Sequence, residues 1–159
     1  MVGEICRKLD GIPLALELVA GRVPAYGIKQ TAILLDGHFH LLWEGRRTAP
    51  PRLQTLSAAL DWSYELLNEA ERAVLRRISI FVGYFTLDAA VAVACFGDSD
   101  SYSVVRILAN LVSKSLVALH ETPHGVRYRL LDTTRVYGLS KIEATDEARA
   151  VAYNHARFS

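Results

Sequence analysis

Cysteine is scarce in this chain, with two in 159 residues, and no apolar run approaches the roughly 18 residues that span a bilayer. Cys6 and Cys95 lie far apart inside apolar helical patterns, so they read as two buried thiols in a reducing compartment and not as a disulfide framework. The expected location is the cytoplasm, because Glu4, Arg7, Lys8 and Asp10 stand where a signal peptide would be apolar. Excess charge is also missing: Lys and Arg total 18 against 17 Asp and Glu, which leaves no general field to gather a polyanion. There is no G-x-x-x-x-G-K-[ST] phosphate loop and no apolar strand ending in magnesium-holding acids, so the chain itself is not expected to be an enzyme. His38 and His40 have no third metal ligand nearby and read as surface or half-buried histidines. Asp61-Trp62-Ser63 lacks the strand-turn-helix elbow of a nucleophilic serine, which leaves Trp62 as a packing anchor.

What is present is apolar material, 51% of residues, enough for one domain or two small ones. Val2, Ile5, Cys6 and Leu9 mark a helical face before any capping residue appears, which predicts a piece of a longer chain. Asp10-Gly11 is a stop, and Ile12-Pro13 restarts a helix with proline in the first turn, where its missing N–H is not needed. Leu14, Leu16, Leu18, Val19 and Val23 leave that helix almost no polar face, so it is expected to be buried. Pro24 is expected to end or kink it. Residues 28–35 with Phe39, Leu41 and Leu42 predict one more short amphipathic helix and a tail. The stretch 45–51, with two prolines and adjacent charges, has linker chemistry and sets the expected boundary between a helical bundle at 1–47 and a second domain at 52–144. Arg46 and Arg47 read as a solvated linker, or alternatively as a hinge pair that grips a nucleotide or a neighbouring domain.

Past the linker, Leu56, Leu60, Ser63, Tyr64 and Leu67 give a helix, and Asn68 with Glu71 forms a capping-box signal for the next, through Val74, Leu75, Ile78 and Phe81. Gly83-Tyr84-Phe85 reads as a turn. Thr86 is an N-cap for a third helix through Leu87, Ala90, Val91 and Ala94, and Val104, Ile107, Leu108, Leu111 and Val112 predict a fourth. The period then changes from about 3.6 to about 2 residues, so 115–120 and 126–131 read as strands joined by the breaker-rich Glu121-Thr122-Pro123-His124-Gly125. Asp132 is placed to cap a last long helix through Val136, Leu139 and Ile142, and Thr145-Asp146 starts a further one. The expected fold class is mainly α, a small helical bundle followed by a winged helix with its β-hairpin, and 145–159 is the expected start of a following helical region.

The phrase Cys6-Arg7-Lys8-Leu9-Asp10-Gly11-Ile12-Pro13-Leu14-Ala15-Leu16-Glu17 resembles the helical-subdomain motif of the STAND-class (NB-ARC-like) signal-transduction ATPases, in the branch of bacterial transcriptional regulators. Leu53-Gln54-Thr55-Leu56, Asp61-Trp62-Ser63-Tyr64-Glu65-Leu66-Leu67, Phe81-Val82-Gly83-Tyr84-Phe85-Thr86-Leu87, Leu111-Val112-Ser113-Lys114-Ser115-Leu116 and Tyr128-Arg129-Leu130-Leu131-Asp132-Thr133-Thr134-Arg135 resemble that branch's winged-helix subdomain, in the same order. The resemblance implies that Pro13, set by Gly11, packs on the adenine of bound ADP; on the residues alone the two are only a helix stop and start. Leu130-Leu131-Asp132 stands where the family has Met-His-Asp, and Leu131 replaces a histidine that touches the β-phosphate with a side chain that cannot donate. The expected nucleotide-binding residues are Gly11, Pro13, Leu131 and Asp132. By the same resemblance the intact parent takes ADP or ATP, with magnesium supplied through a P-loop domain of the same chain outside this sequence, and no nucleotide is expected on this piece alone. A downstream helical sensor domain and oligomerisation on activation are the other implied partners.

The alternative is a stand-alone winged-helix module for DNA or protein binding. Between Val104 and Ser115 only Arg106 and Lys114 are basic, and the wing turn holds neither lysine nor arginine. Strand alternation puts Arg127 and Arg129 on one face, read as solvated and opposite the core. Direct DNA contact by this piece is therefore not expected.

Overall fold

The structure is a computed structural model that describes residues 1–9, 11–43, 51–95 and 100–158, with side chains except at 38–43 and 51–53. Asp10, the linker arginines Arg46 and Arg47, and the side chains of His38 and His40 lie outside the described set. The chain forms two compact units, 1–66 and 67–159.

In the first unit α1 (Val2–Lys8) closes at Gly11, whose φ of 62° lets its N–H return to the Cys6 carbonyl at 3.0 Å. Ile12 is the extended N-cap of α2 (Pro13–Ala20), which buries Ala15, Leu18 and Val19. The expectation that Pro24 ends or kinks this helix is corrected. Helix α2 stops at Gly21 and Pro24 sits in the first turn of α3 (Val23–Trp43), where proline needs no N–H partner. The break falls at Gly27 (φ 74°, ψ 158°), a conformation open to glycine because it has no Cβ.

Helix α4 (Pro51–Glu65) packs on α2 and α3 and belongs to this first unit. The sequence placed it beyond the linker with the second domain; the structure divides the chain after it. Arg22, 2% exposed at the corner between α2 and α3, supplies a reason. Its guanidinium donates to the Ser63 carbonyl at 2.7 Å and to the Ser63 hydroxyl at 3.0 Å. A cation at the last turn of α4 satisfies a carbonyl that has no partner within its own helix and opposes the helix dipole. Trp62 is buried beside it, as a packing anchor.

The second unit opens with α5 (Glu69–Ile78). Its capping box is as the sequence predicts: Asn68 Oδ1 accepts the Glu71 N–H at 2.9 Å, and the Glu71 carboxylate accepts the Asn68 N–H at 3.1 Å. Gly83 turns the chain at φ 79°, but the reading of 83–85 as turn alone is corrected, since Tyr84–Phe85 is a short strand, β1. Thr86 caps α6 (Leu87–Ala94), accepting the Ala89 N–H at 3.1 Å. Then come α7 (Ser101–Ser113), β2 (Ala118–Thr122), β3 (Gly125–Arg129), α8 (Asp132–Glu143) and α9 (Ala148–Phe158).

The sheet is antiparallel in the order β1-β3-β2, with Tyr84 opposite Arg129 and Ala118 opposite Arg129 from the other side. Two residues suffice for β1 because Phe85 points inward, stacked on Phe81 at 4.7 Å and on Tyr128 at 5.9 Å. Such ring pairs add to the burial energy of the strand they anchor.

Helix α9 packs on α6 inside this unit. Glu147, just before it, binds Arg77 at 2.6 Å and Arg76 at 3.3 Å, so 145–158 completes the unit, where the sequence placed the start of a following region. The cysteines are half-buried, a correction to the reading of both as buried, and they form no disulfide. Among the described residues no helix is long and apolar enough to cross a membrane.

Candidate functional site

Helix α7 stands where a winged helix carries its recognition helix, third in order and directly before the hairpin. Asp100 caps it by accepting the Ser103 N–H at 2.7 Å. Val104, Ile107, Leu108 and Leu111 recur at three- and four-residue spacing and are buried, which fixes the outward face as Tyr102, Val105, Arg106, Ala109 and Asn110. Tyr102 is 78% exposed. Of the two cations the sequence supplies here, Lys114 is taken up by Glu71, Nζ to carboxylate at 2.5 Å. The helix therefore presents a single free-standing cation, Arg106, among the described residues. That is a neutral, partly apolar surface, poor in phosphate contacts.

The wing is set by a two-residue turn. Thr122 Oγ1 donates to the Gly125 carbonyl at 2.6 Å and accepts the His124 N–H, while Gly125 takes φ 110°. Its tip carries no lysine or arginine. The reading of Arg127 and Arg129 as a solvated face is corrected, since both are half-buried. The Arg129 guanidinium lies 5.6 Å over the Tyr84 ring, and its Nε is buried with no hydrogen-bond partner among the described residues. This stack is not legible in the residue pattern, because β1 is too short to show a period.

The four expected nucleotide residues fall into two pairs, one in each unit. Gly11 and Pro13 form the corner between α1 and α2, and both are exposed, so the face of the Pro13 ring is open to solvent. Leu131 and Asp132 begin α8. Leu131 occupies the N-cap with no side-chain hydrogen bond and is 40% exposed, and Asp132 is the first residue of the helix. The expected capping role of Asp132 is thereby corrected: it lies one position too late and acts on α8 only through its charge in the first turn, favourable to the helix dipole. Leu130 is the buried member of the trio.

The chemistry of these residues suits part of a nucleotide. An exposed proline ring at a helix start offers an apolar face to a base with little entropy to lose. Leu131 has no donor, and the Asp132 carboxylate repels phosphate, so this pair does not fit a phosphate group. Among the described residues no group of three His, Cys, Asp or Glu side chains is placed to hold a metal ion.

Helix order, a three-stranded sheet and a hairpin wing make the second unit a winged helix, and the chain as a whole is mainly helical. Residues 67–141 match the Winged helix-turn-helix domain family. Among curated proteins, the chain is 49% identical over 147 residues to "Putative HTH-type transcriptional regulator Rv0890c" of Mycobacterium tuberculosis, across 92% of this chain and 17% of that protein. The same identity and coverage hold for a protein of that type from Mycobacterium bovis. An uncharacterized protein of Mycobacterium tuberculosis is 40% identical over 151 residues, covering 94% of this chain and 38% of its own length. The chain thus spans about a sixth of the length of the first relatives. The matched domain is a winged helix-turn-helix, and the first relatives are named "Putative HTH-type transcriptional regulator".

Proposed function

We propose that this chain is the helical and winged-helix portion of an ATP/ADP-dependent signal-transduction ATPase that regulates transcription, closing over a nucleotide held mainly by a P-loop domain outside this sequence. The observation that carries the reading is the α1–α2 corner, where Gly11 at positive φ sets an exposed Pro13 ring ahead of Leu14-Ala15-Leu16. In support, the match to the Mycobacterium tuberculosis regulator covers only 17% of that protein, which leaves room in it for further domains. The switch is a hinge-type closure, biased by a difference in nucleotide affinity between its two states. Magnesium would be held through the P-loop domain, and this chain alone is proposed to bind no nucleotide. A downstream helical sensor and oligomerisation on activation complete the proposal, in the cytoplasm.

Within it, Pro13 supplies an apolar contact to the base. Leu131 and Asp132 supply none to phosphate, and no step is assigned to them. The test is calorimetric titration of ADP into the chain extended upstream through a P-loop domain, wild type against Pro13→Ala. Weaker ADP binding by the variant supports the reading, and equal affinity refutes it. A second reading, a stand-alone winged-helix module that binds DNA or protein, draws on the match of residues 67–141 to the Winged helix-turn-helix domain family. Micromolar duplex binding by the chain alone, lost on Arg106→Gln, would select it.

A further inference from the structure

The winged-helix unit carries a second surface that the nucleotide reading does not use. Antiparallel register sets Tyr84 opposite Arg129 and His120 opposite Arg127, so these four side chains share the sheet face turned away from Phe85 and Tyr128. The rings of Tyr84 and His120 meet edge to face at 5.0 Å, and Arg129 lies over the Tyr84 ring. The side chains of Arg127 and Arg129 form no ion pair or hydrogen bond among the described residues. The strands contain one acid, Glu121, and alternation turns it to the opposite face.

A guanidinium fixed over a ring, partly desolvated and with its donors unmet, is preorganised for a carboxylate. At the free edge of β1 this face borders a groove of about 440 Å³, lined by Ile80, Val82, Tyr84, Phe85, His155 and Phe158 among others. Tyr84 belongs to both surfaces. Val82 is 80% exposed at the rim.

We infer that this face docks an acidic peptide segment of a partner protein, with an apolar side chain seated in the groove and the carboxylates that follow it on Arg129 and Arg127. Charge complementarity selects this occupant. Duplex DNA would draw on α7, whose outward face adds only Arg106. Because the inference uses no nucleotide residue, it stands or falls apart from the proposed ATPase.

The experiment is fluorescence anisotropy of the full chain with a labelled peptide of one leucine followed by glutamates, against a labelled duplex. The expected result is saturable, salt-sensitive peptide binding that weakens about tenfold in Arg129→Gln and in Arg127→Gln. Val82→Glu, an exposed substitution that leaves the core alone, should weaken it as well, and Arg106→Gln should not change it. No peptide binding at low salt, an equal loss with Arg106→Gln, or tighter binding to the duplex than to the peptide overturns the inference.

Discussion

Helices α5 and α8 pack together where Gly138 meets Ser79 at the end of α5, and replacing that glycine with alanine tests the packing of this contact. A Cβ added at Gly138 would overlap Ser79 Oγ and lie 2.8 Å from Ser79 Cβ. Neither contact is tolerable, so something must move. Ser79 is fully buried and its hydroxyl donates to the Leu75 carbonyl at 2.7 Å, so its side chain cannot rotate away without breaking that bond. Over-packing of this kind costs roughly 1–3 kcal/mol and the lost hydrogen bond about 1 kcal/mol, while the better helix propensity of alanine returns about 1 kcal/mol. The net expectation for Gly138→Ala is about 2 kcal/mol of destabilisation. For a unit of this size that is roughly 8–16 °C in Tm, read by circular dichroism. Ser79→Gly in the same chain removes both clashing atoms, so the double variant should be more stable than the sum of the two single effects. An unchanged or higher Tm for Gly138→Ala, or strict additivity in the double variant, would refute the reasoning.

Asn68→Ala should cost about 1 kcal/mol in urea unfolding, the usual value of an N-cap. Glu71→Ala should cost about 2 kcal/mol, because the Lys114 ion pair is lost along with the capping box; equal values would show that the pair contributes nothing. Glu147→Ala should destabilise by about 2 kcal/mol and speed amide exchange in α9. Buried pairs cost more when broken, but Glu147 keeps 21% of its side chain in water. The exposed Asp100 carboxyl is held below its ordinary value by the hydrogen bonds from Ser103, side chain first and then backbone, with a smaller effect from Arg106. A folded pKa that is depressed gives stability that is present above the unfolded value and is lost as pH falls through the folded one. Exchange protection at the Ser103 amide should therefore fall only below pH 3.8 in the wild type, and Asp100→Asn should remove that dependence.

Local signals were legible wherever a single side chain decides the outcome within a few residues of itself. Asn68 with Glu71, and Thr86, are legible as caps and act as caps, because the bond they make spans three residues. The hairpin was readable from a change of period and a breaker-rich turn. Asp132 shows the limit of such reading: a one-residue shift, with Leu131 at the N-cap, turns a hydrogen-bonding cap into a first-turn charge. Strand β1 left no signal because two residues have no period, and what holds it is ring stacking with Phe81 and Tyr128.

The order of helices, the wing and the near-neutral outward face of α7 follow from the sequence alone, since residue spacing sets which side of a helix can be apolar. Where the units divide did not follow from it. Linker chemistry at 45–51 marked one place, yet a buried guanidinium on Arg22 reaches 41 residues along the chain to hold α4 in the first unit, and Glu147 reaches back about 70 to hold α9 in the second. Contacts of that range depend on which surfaces meet in space. No window on the sequence contains both partners, so only the folded chain decides them.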